Sequence, residues 1–383
     1  MPVPMPSLEL LRELSDGLVL AALMDEPHLT RAEIASRAGI SKPTVSESVK
    51  RLVEAGVVVD TGERTTGRGR AGSYYALADE VGQALVVSIA PEGIVTELVD
   101  PYGAVIATAS AAVARPAQPT RVAASLVENV RRVQAGTGAP TRLAVVSAAD
   151  PVDRRTGQLV RLPDAPFLLG ELSPVTELTP LVDGPITVDN DVNWAARAER
   201  DTAAPGSMDD FVYLYLGEGL GCAVVADGEV RRGQNGLAGE IAHVVTTGPD
   251  GRACPFTEVF ARLGLRHEGS TAIDVAALIA LVTGNTARSR RVRTALGQAV
   301  AGVFTAAVAL ADPGAIIVGG PWGTHPAVLH SIETEAAGLS RQPTLRAATV
   351  TEAAPLAGAR AEATAQLRHA ITHYRKTTTG SMS

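Results

Sequence analysis

The first eighty residues alternate amphipathic helices with tight breaks. Leu8–Met24 carries Leu11, Leu14, Leu18, Leu20, Ala21 and Leu23 at helical spacing, which predicts a helix with one apolar face. Thr30 opens the run T-R-A-E, a capping box with Glu33 three residues on, and the helix it starts turns Ile34, Ala35 and Ala38 inward. Gly39 ends that helix, as glycine does where the chain must turn left-handed. Ser41 caps a third helix that tolerates Pro43 in its first turn and buries Val45, Val49, Leu52 and Val53. Val57–Asp60 and Ser73–Leu77 predict a β-hairpin. After about Val81 the texture changes. Apolar, β-branched runs appear at Ala84–Ile89, Ile94–Leu98, Leu143–Val146, Ile186–Val188, Phe211–Leu216, Cys222–Ala226 and Ala315–Val318. Helical stretches such as Arg121–Gln134 and Val292–Ala311 alternate with them, which indicates an α/β region with a partly parallel sheet. No short-period repeat is visible, and the small polar tail after Lys376 predicts disorder.

The N-terminal pattern has the spacing of a helix-turn-helix: Ala35 lets two helices cross closely, Gly39 makes the turn and Val45 fills the space between them. The third helix leaves Lys42, Thr44, Ser46, Glu47 and Lys50 outward. Short hydroxyls and long cations there, with Ser41 and Arg51, suit phosphates and base edges in a major groove. The hairpin loop TGERTTGRGRAGS sets Arg64, Arg68 and Arg70 on glycine-rich backbone, as a wing that follows the DNA backbone or enters a minor groove. The plainer reading is a three-helix module for protein contacts. Residues 41–70 hold six cations against four anions, a modest excess, and the whole segment 1–80 is slightly acidic. The geometry and the wing arginines favour double-stranded DNA as partner.

Composition narrows the rest. The chain has 383 residues, 46% hydrophobic, 20% charged and 3% aromatic, as expected of a globular protein of closely packed α/β layers. A net charge of −7 argues against coating nucleic acid along the whole surface, though not against one local face. Two cysteines, Cys222 and Cys254, are too few for a disulfide framework. The start MPVPMPSLELL lacks the pattern of a secretory leader, and no apolar run approaches the length that spans a bilayer. A cytoplasmic protein with no membrane partner is expected.

Four segments beyond residue 180 carry candidate chemistry. In VDNDVNWAA a strand delivers Asn190 and Asp191 to its C-terminal end just before a helix, where α/β sheets place ligands. A carboxylate there accepts a hydroxyl proton, and the amide can bond further hydroxyls; the plainer reading is a turn and a helix cap. Tyr213–Leu216 and Cys222–Ala226 flank G-E-G-L-G, a loop that fits either a phosphate or an ordinary hairpin. Gly239-Glu240-Ile241-Ala242-His243 sets an acid and an imidazole three residues apart, on one side of a helix or tight turn. The segment GPDGRACPFTEVF offers Cys254 and Glu258, and AIIVGGPWG is a buried strand ending in glycines.

Together these segments resemble the ROK family of repressors, open reading frames and kinases. The resemblance runs over nearly the whole chain through the N-terminal winged helix, ADPVDRRTG, VDNDVN, GEGLG, GLAGEIAH and VGG. It implies a winged helix-turn-helix over residues 1–80, then a two-lobed, actin-like sugar-kinase fold. Lobe 1 is expected over 81–189, with a C-terminal helix at about 360–376 packed back on it, and lobe 2 over 190–359. It also implies that Asn190, Asp191, Glu240, His243 and Glu258 contact a sugar, with Asp191 matching the catalytic base of kinase members. Three departures follow. The phosphate-binding D-x-G-G-T of kinases is S-I-A-P-E-G, with Glu92 where phosphates would sit. The second phosphate loop has become Gly217-Glu218-Gly219. Of the cysteine run that holds a structural zinc with the histidine matching His243, only Cys254 survives, so no metal and no cofactor are expected.

The resulting expectation is a transcriptional regulator, not an enzyme: a repressor whose kinase-like domain binds a sugar or sugar derivative and changes operator affinity. A homodimer or tetramer is expected, because paired half-sites demand fixed spacing. Val292–Ala311 is a candidate interface helix by its apolar surplus. The alternatives are a constitutive DNA-binding protein with a vestigial pocket and an active sugar kinase.

Overall fold

The computed structural model describes residues 7–65, 72–115, 117–162, 167, 172–342 and 344–373. Arg68, Arg70 and the tail after Lys376 lie outside the described residues.

The N-terminal head comprises α1 (Leu8–Asp25), β1 (Leu29–Thr30), α2 (Arg31–Ala38), α3 (Lys42–Glu54), β2 (Val58–Arg64) and β3 (Ser73–Leu77), its strands ordered β1-β3-β2. The local signals act as physical chemistry requires. Thr30 and Glu33 form both halves of the capping box, and Gly39 takes φ 65° to end α2 in the left-handed region. Val45, Val49 and Ile34 are fully buried between the helices. The apolar face of α1 is covered along only half of its length. Leu20 and Leu23 are buried, but Leu11, Leu14 and Leu18 are exposed with Leu8 and Leu10. Apart from Ser15, the buried residues of α1 all lie in its C-terminal half, from Val19 to Met24.

The first sheet contains β4 (Gln83–Ala90), β5 (Gly93–Val99), β6 (Val105–Ala111), β7 (Thr141–Ala148) and β8 (Ile186–Asn190), with helices α4 (Pro119–Gln134) and α5 (Pro174–Leu178). Helix α6 (Asp191–Asp201) leads to a second sheet of β9 (Phe211–Leu216), β10 (Leu220–Ala226) and β11 (Glu229–Val230), later joined by two parallel strands. Between them come β12 (Val245–Thr247), β13 (Ala253–Pro255), α7 (Phe256–Leu263), α8 (Val275–Thr283) and α9 (Ala287–Ala311). Then follow β14 (Ala315–Gly319), α10 (Pro326–Ala336), β15 (Thr344–Ala347) and α11 (Ala354–Thr372). The sheets, ordered β6-β5-β4-β7-β8 and β11-β10-β9-β14-β15, share one topology: an antiparallel meander whose first strand pairs in parallel with the later strands. This duplication leaves no repeat in the sequence. Each strand needs only alternating or continuous apolar character, which many residues satisfy.

Helix α9 is long and apolar enough to cross a membrane by length and composition, but half of its apolar window is buried inside the molecule. Val292, Leu296, Val300 and Phe304 fill the second lobe's core. The apolar surplus that marked this helix as an interface is therefore used internally along those positions.

Helices α6 and α11 pack against each other where the two sheets meet. A Cβ built on Gly358 of α11 would stand 2.0 Å from the carbonyl oxygen of Trp194 in α6, so the two backbones touch. Trp194 is fully buried and its Nε1 donates to the Val146 carbonyl of the first sheet at 3.0 Å. Arg197 stacks over the Trp194 ring and pairs with Glu362 at 3.2 Å. Arg360 of α11 makes two hydrogen bonds of 2.9 Å to the buried Glu97 carboxylate on β5. Replacing Gly358 by alanine gains up to about 1 kcal/mol of helix propensity. That gain cannot offset a methyl forced into backbone, and overpacking costs about 1–3 kcal/mol. Gly358→Ala is thus expected to lower the thermal midpoint, checked by calorimetry; an unchanged midpoint would mean that α6 and α11 are less closely apposed.

Candidate functional site

Between the lobes lies a cavity of about 680 Å³. Helix α6 aims its N-terminus into it. Asn190 is the N-cap, its Oδ1 accepting from Val192 N at 3.0 Å and its Nδ2 donating to the Ala148 and Asp150 carbonyls. The amide at this strand end is thus a cap and a brace for two loops while it also lines the cavity. Asp191 begins the helix, accepts from Val192 N at 2.8 Å and lines the same wall. A helix N-terminus favours a negative charge by only about 0.3–1 kcal/mol. Burial acts the other way and is larger, with the charges of Glu92 and Glu240 adding to it, so Asp191 is pushed up to about 7.

Glu240 and His243 line the same cavity, at either end of a single 3-10 turn over Ile241–His243. The chain before them is held tightly to the lobe: Gly239 takes φ 95°, and a Cβ there would fall 1.8 Å from the Cys222 carbonyl oxygen. Burial pushes the Glu240 carboxyl above its usual range. Arg232 in the same loop pairs with the buried Asp189 at 2.6 Å, and Asp189 also accepts from Asn193 at 2.8 Å. Asn190, Asp191, Glu240 and His243 therefore share one cavity. Glu258 does not join them: it stands in the first turn of α7 beside Arg266 (3.8 Å) and Arg262 (3.9 Å), and its neighbour Thr257 lines the cavity instead.

At the far end of the cleft the G-E-G-L-G loop is a tight hairpin turn, Gly217 N donating to the Gly219 carbonyl at 3.1 Å. The indole of Trp322 braces it through a 2.9 Å bond to Gly217 O. Glu218 accepts two bonds, 2.9 and 3.1 Å, from Arg115, which follows β6 in the other lobe. This bidentate pair crosses the cleft, and sequence reasoning missed it. Its partners lie 103 residues apart, and an arginine in a polar loop gives no local signal.

A zinc site does not fit here. A structural zinc wants four ligands; His243 and Cys254 are two, and no group of three or more His, Cys, Asp or Glu gathers for a metal among the described residues.

On the head, Lys42, Thr44, Glu47 and Lys50 are exposed along α3, and Ser46 is half-buried. The Ser41 hydroxyl accepts from Thr44 N at 3.3 Å and lies 2.7 Å from the Thr44 hydroxyl, so this pair caps the helix. Arg51 faces inward. It pairs with Asp16 at 2.6 Å and bonds the Ser15 and Ser48 hydroxyls, tying α3 to α1. Arg64 on β2 is half exposed and pairs with Asp60 at 2.9 Å.

The Asp191 shift has a pH signature. Its carboxyl titrates near 7 in the folded chain and near about 4 unfolded. The folded state therefore holds a proton that the unfolded state releases, and stability falls as pH rises through that window. Asp191→Asn should raise the thermal midpoint relative to wild type at pH 8 and give no such gain at pH 4. An equal difference at both pH values would contradict the shift.

Comparison with known proteins follows the same division. The family model described as ROK family matches residues 93–366. A model described as winged helix-turn-helix DNA-binding matches residues 12–59. A xylose repressor from Caldicellulosiruptor bescii is 24% identical over 237 residues, 61% of this chain and 59% of that protein. Among solved structures, a ROK family transcriptional regulator described as a homolog of E. coli Mlc superposes with TM-score 0.63 at 18% identity, covering 95% of this chain and all of that one. A ROK hexokinase from Thermus thermophilus has TM-score 0.57 and 23% identity, and covers 75% of this chain and 99% of its own. The chain belongs to the ROK family, and carries a winged helix-turn-helix head ahead of its two-lobed domain.

Proposed function

We propose that this protein is a DNA-binding repressor whose cleft takes a sugar or sugar derivative as effector, and that it is not an enzyme. The observation that carries the reading is a continuous packed path from cleft to head. Asp191 faces the cavity from the first turn of α6, and α6 lies against α11 at Trp194 and Gly358. Leu367 and Ile371 of α11 share one core with Leu20 and Leu23 of α1. Arg368 closes the joint: it donates to the Pro101 carbonyl at 2.9 Å and to the Met24 carbonyl, and pairs with Asp25 at 3.3 Å. A ligand that favours one setting of α6 would thereby favour one setting of the head. An effector shifts an equilibrium only by such differential binding.

Glu92 and Glu218 support the non-enzymatic reading, since both put negative charge where a kinase of this family would hold phosphates. The name of the C. bescii relative supports a sugar-responsive repressor. The protein would act in the cytoplasm as a dimer on paired half-sites. The exposed leucines of α1, Leu11, Leu14 and Leu18, are the apolar surface of the head that a second copy would cover.

The test uses DNA fragments selected by the protein from a random library, with affinity read by fluorescence anisotropy. Lys50→Ala should weaken binding to every selected fragment and lower the salt slope by about 1, as expected for a lost phosphate contact. Arg368→Ala should still bind DNA but lose most of its response to a sugar that releases the wild type. An Arg368→Ala variant with an undiminished sugar response would remove this joint from the mechanism, and a wild type that selects no DNA would remove the function.

A further inference from the structure

The charge of the cleft narrows the effector. Its described lining includes the carboxylates Glu92, Asp191, Glu218 and Glu240, the imidazole of His243, and no lysine or arginine. The nearby guanidinium of Arg115 is engaged with both oxygens of Glu218 and also feels the charge of Glu92. It is an acid–base–acid cluster, negative in sum. A phosphate seated there would have to take Arg115 from Glu218, leaving two carboxylates facing it. The other end is acidic too. Asp191 feels the charges of Glu92 and Glu240, and the Glu240 carboxylate has no hydrogen-bond or ion-pair partner among the described residues. Burial weakens solvent screening of these charges. The lining also includes Tyr213, Tyr215 and Thr257, whose hydroxyl accepts from Arg266 at 2.8 Å and keeps its proton to donate to a polyol.

We infer that the cleft takes polyols without phosphate or carboxylate, and prefers one that bears a protonated amine. This rests on the reading of the cleft as an effector site. Hydroxyls donate to the carboxylates, an ammonium group neutralises part of their mutual repulsion, and an anion meets unpaired like charge. The preference comes from repulsion of the wrong ligand as much as from attraction of the right one.

The experiment is isothermal titration of the full chain at pH 8, where Asp191 is charged, with matched series. D-glucose is compared with its 6-amino-6-deoxy, 6-phosphate and gluconate counterparts. N-acetylglucosamine, mannose and xylose are run likewise with their phosphorylated or oxidised forms. Within a series that binds, the phosphate and the acid should be weaker than the parent by roughly 100-fold, the size expected of one unscreened like-charge contact. The amine should be the tighter by a few-fold. In the double variant Glu92→Gln, Glu218→Gln the penalty of the phosphate relative to its parent sugar should shrink by roughly tenfold, whatever happens to the affinity of the parent itself. A phosphorylated or acidic member that binds as tightly as its parent, or an amine that binds more weakly, overturns the inference while leaving the sugar reading intact. If no member of any series binds, the sugar reading itself falls and the inference with it.

Discussion

The structure depends on one continuous apolar core that does not stop at the edge of the winged-helix head. Ile34 and Val45 in the head, Leu20 and Leu23 on α1, Leu367 and Ile371 on α11, and Trp194 on α6 belong to the same buried cluster. Val86 and Val145 of the first sheet close it from below. A head joined through a flexible linker would be oriented independently of anything bound behind it. Here the head's own core includes surface that α11 supplies, so α1 and α11 are packed against each other directly. Packed interiors transmit small displacements because they cannot absorb them as voids.

The cleft end of that core is built on an electrostatic conflict. The N-terminus of α6 and two backbone amides favour a charged Asp191, whereas burial and two other carboxylates oppose it, and burial is the larger effect. Such an arrangement is unfavourable in an empty cleft and is relieved by a ligand that donates hydrogen bonds or positive charge. The Arg115–Glu218 pair links the two lobes directly. Because Arg115 is half exposed, the pair is worth little to stability, about 0–1 kcal/mol. Its consequence is instead that the Arg115 guanidinium, beside the cleft residue Glu218, is already occupied.

Much of this was legible in the chain. Capping residues placed α2 and α3, and every apolar run singled out beyond residue 80 is a strand. The segments VDNDVN, where β8 meets α6, and G-E-I-A-H supply Asp191, Glu240 and His243, which share one cavity. What was not legible depends on tertiary partners. The leucines of α1 have the right period but outrun the elements that could cover them. Arg51 looks like its exposed neighbours Lys42 and Lys50 until Asp16 and the buried Ser48 claim it. Glu258 depends on the path of a shortened loop, and the structure turns it toward Arg262 and Arg266. The role of Gly358 follows only from the carbonyl of Trp194 above it.

The claim that cleft and head move as one is tested most directly by hydrogen exchange on the full chain, with and without a saturating sugar chosen by titration. The account predicts altered exchange at the cleft and also along α11 and the C-terminal half of α1, through Arg368 and Leu23. Changes confined to the cleft, with α11 and α1 exchanging as before, would contradict it.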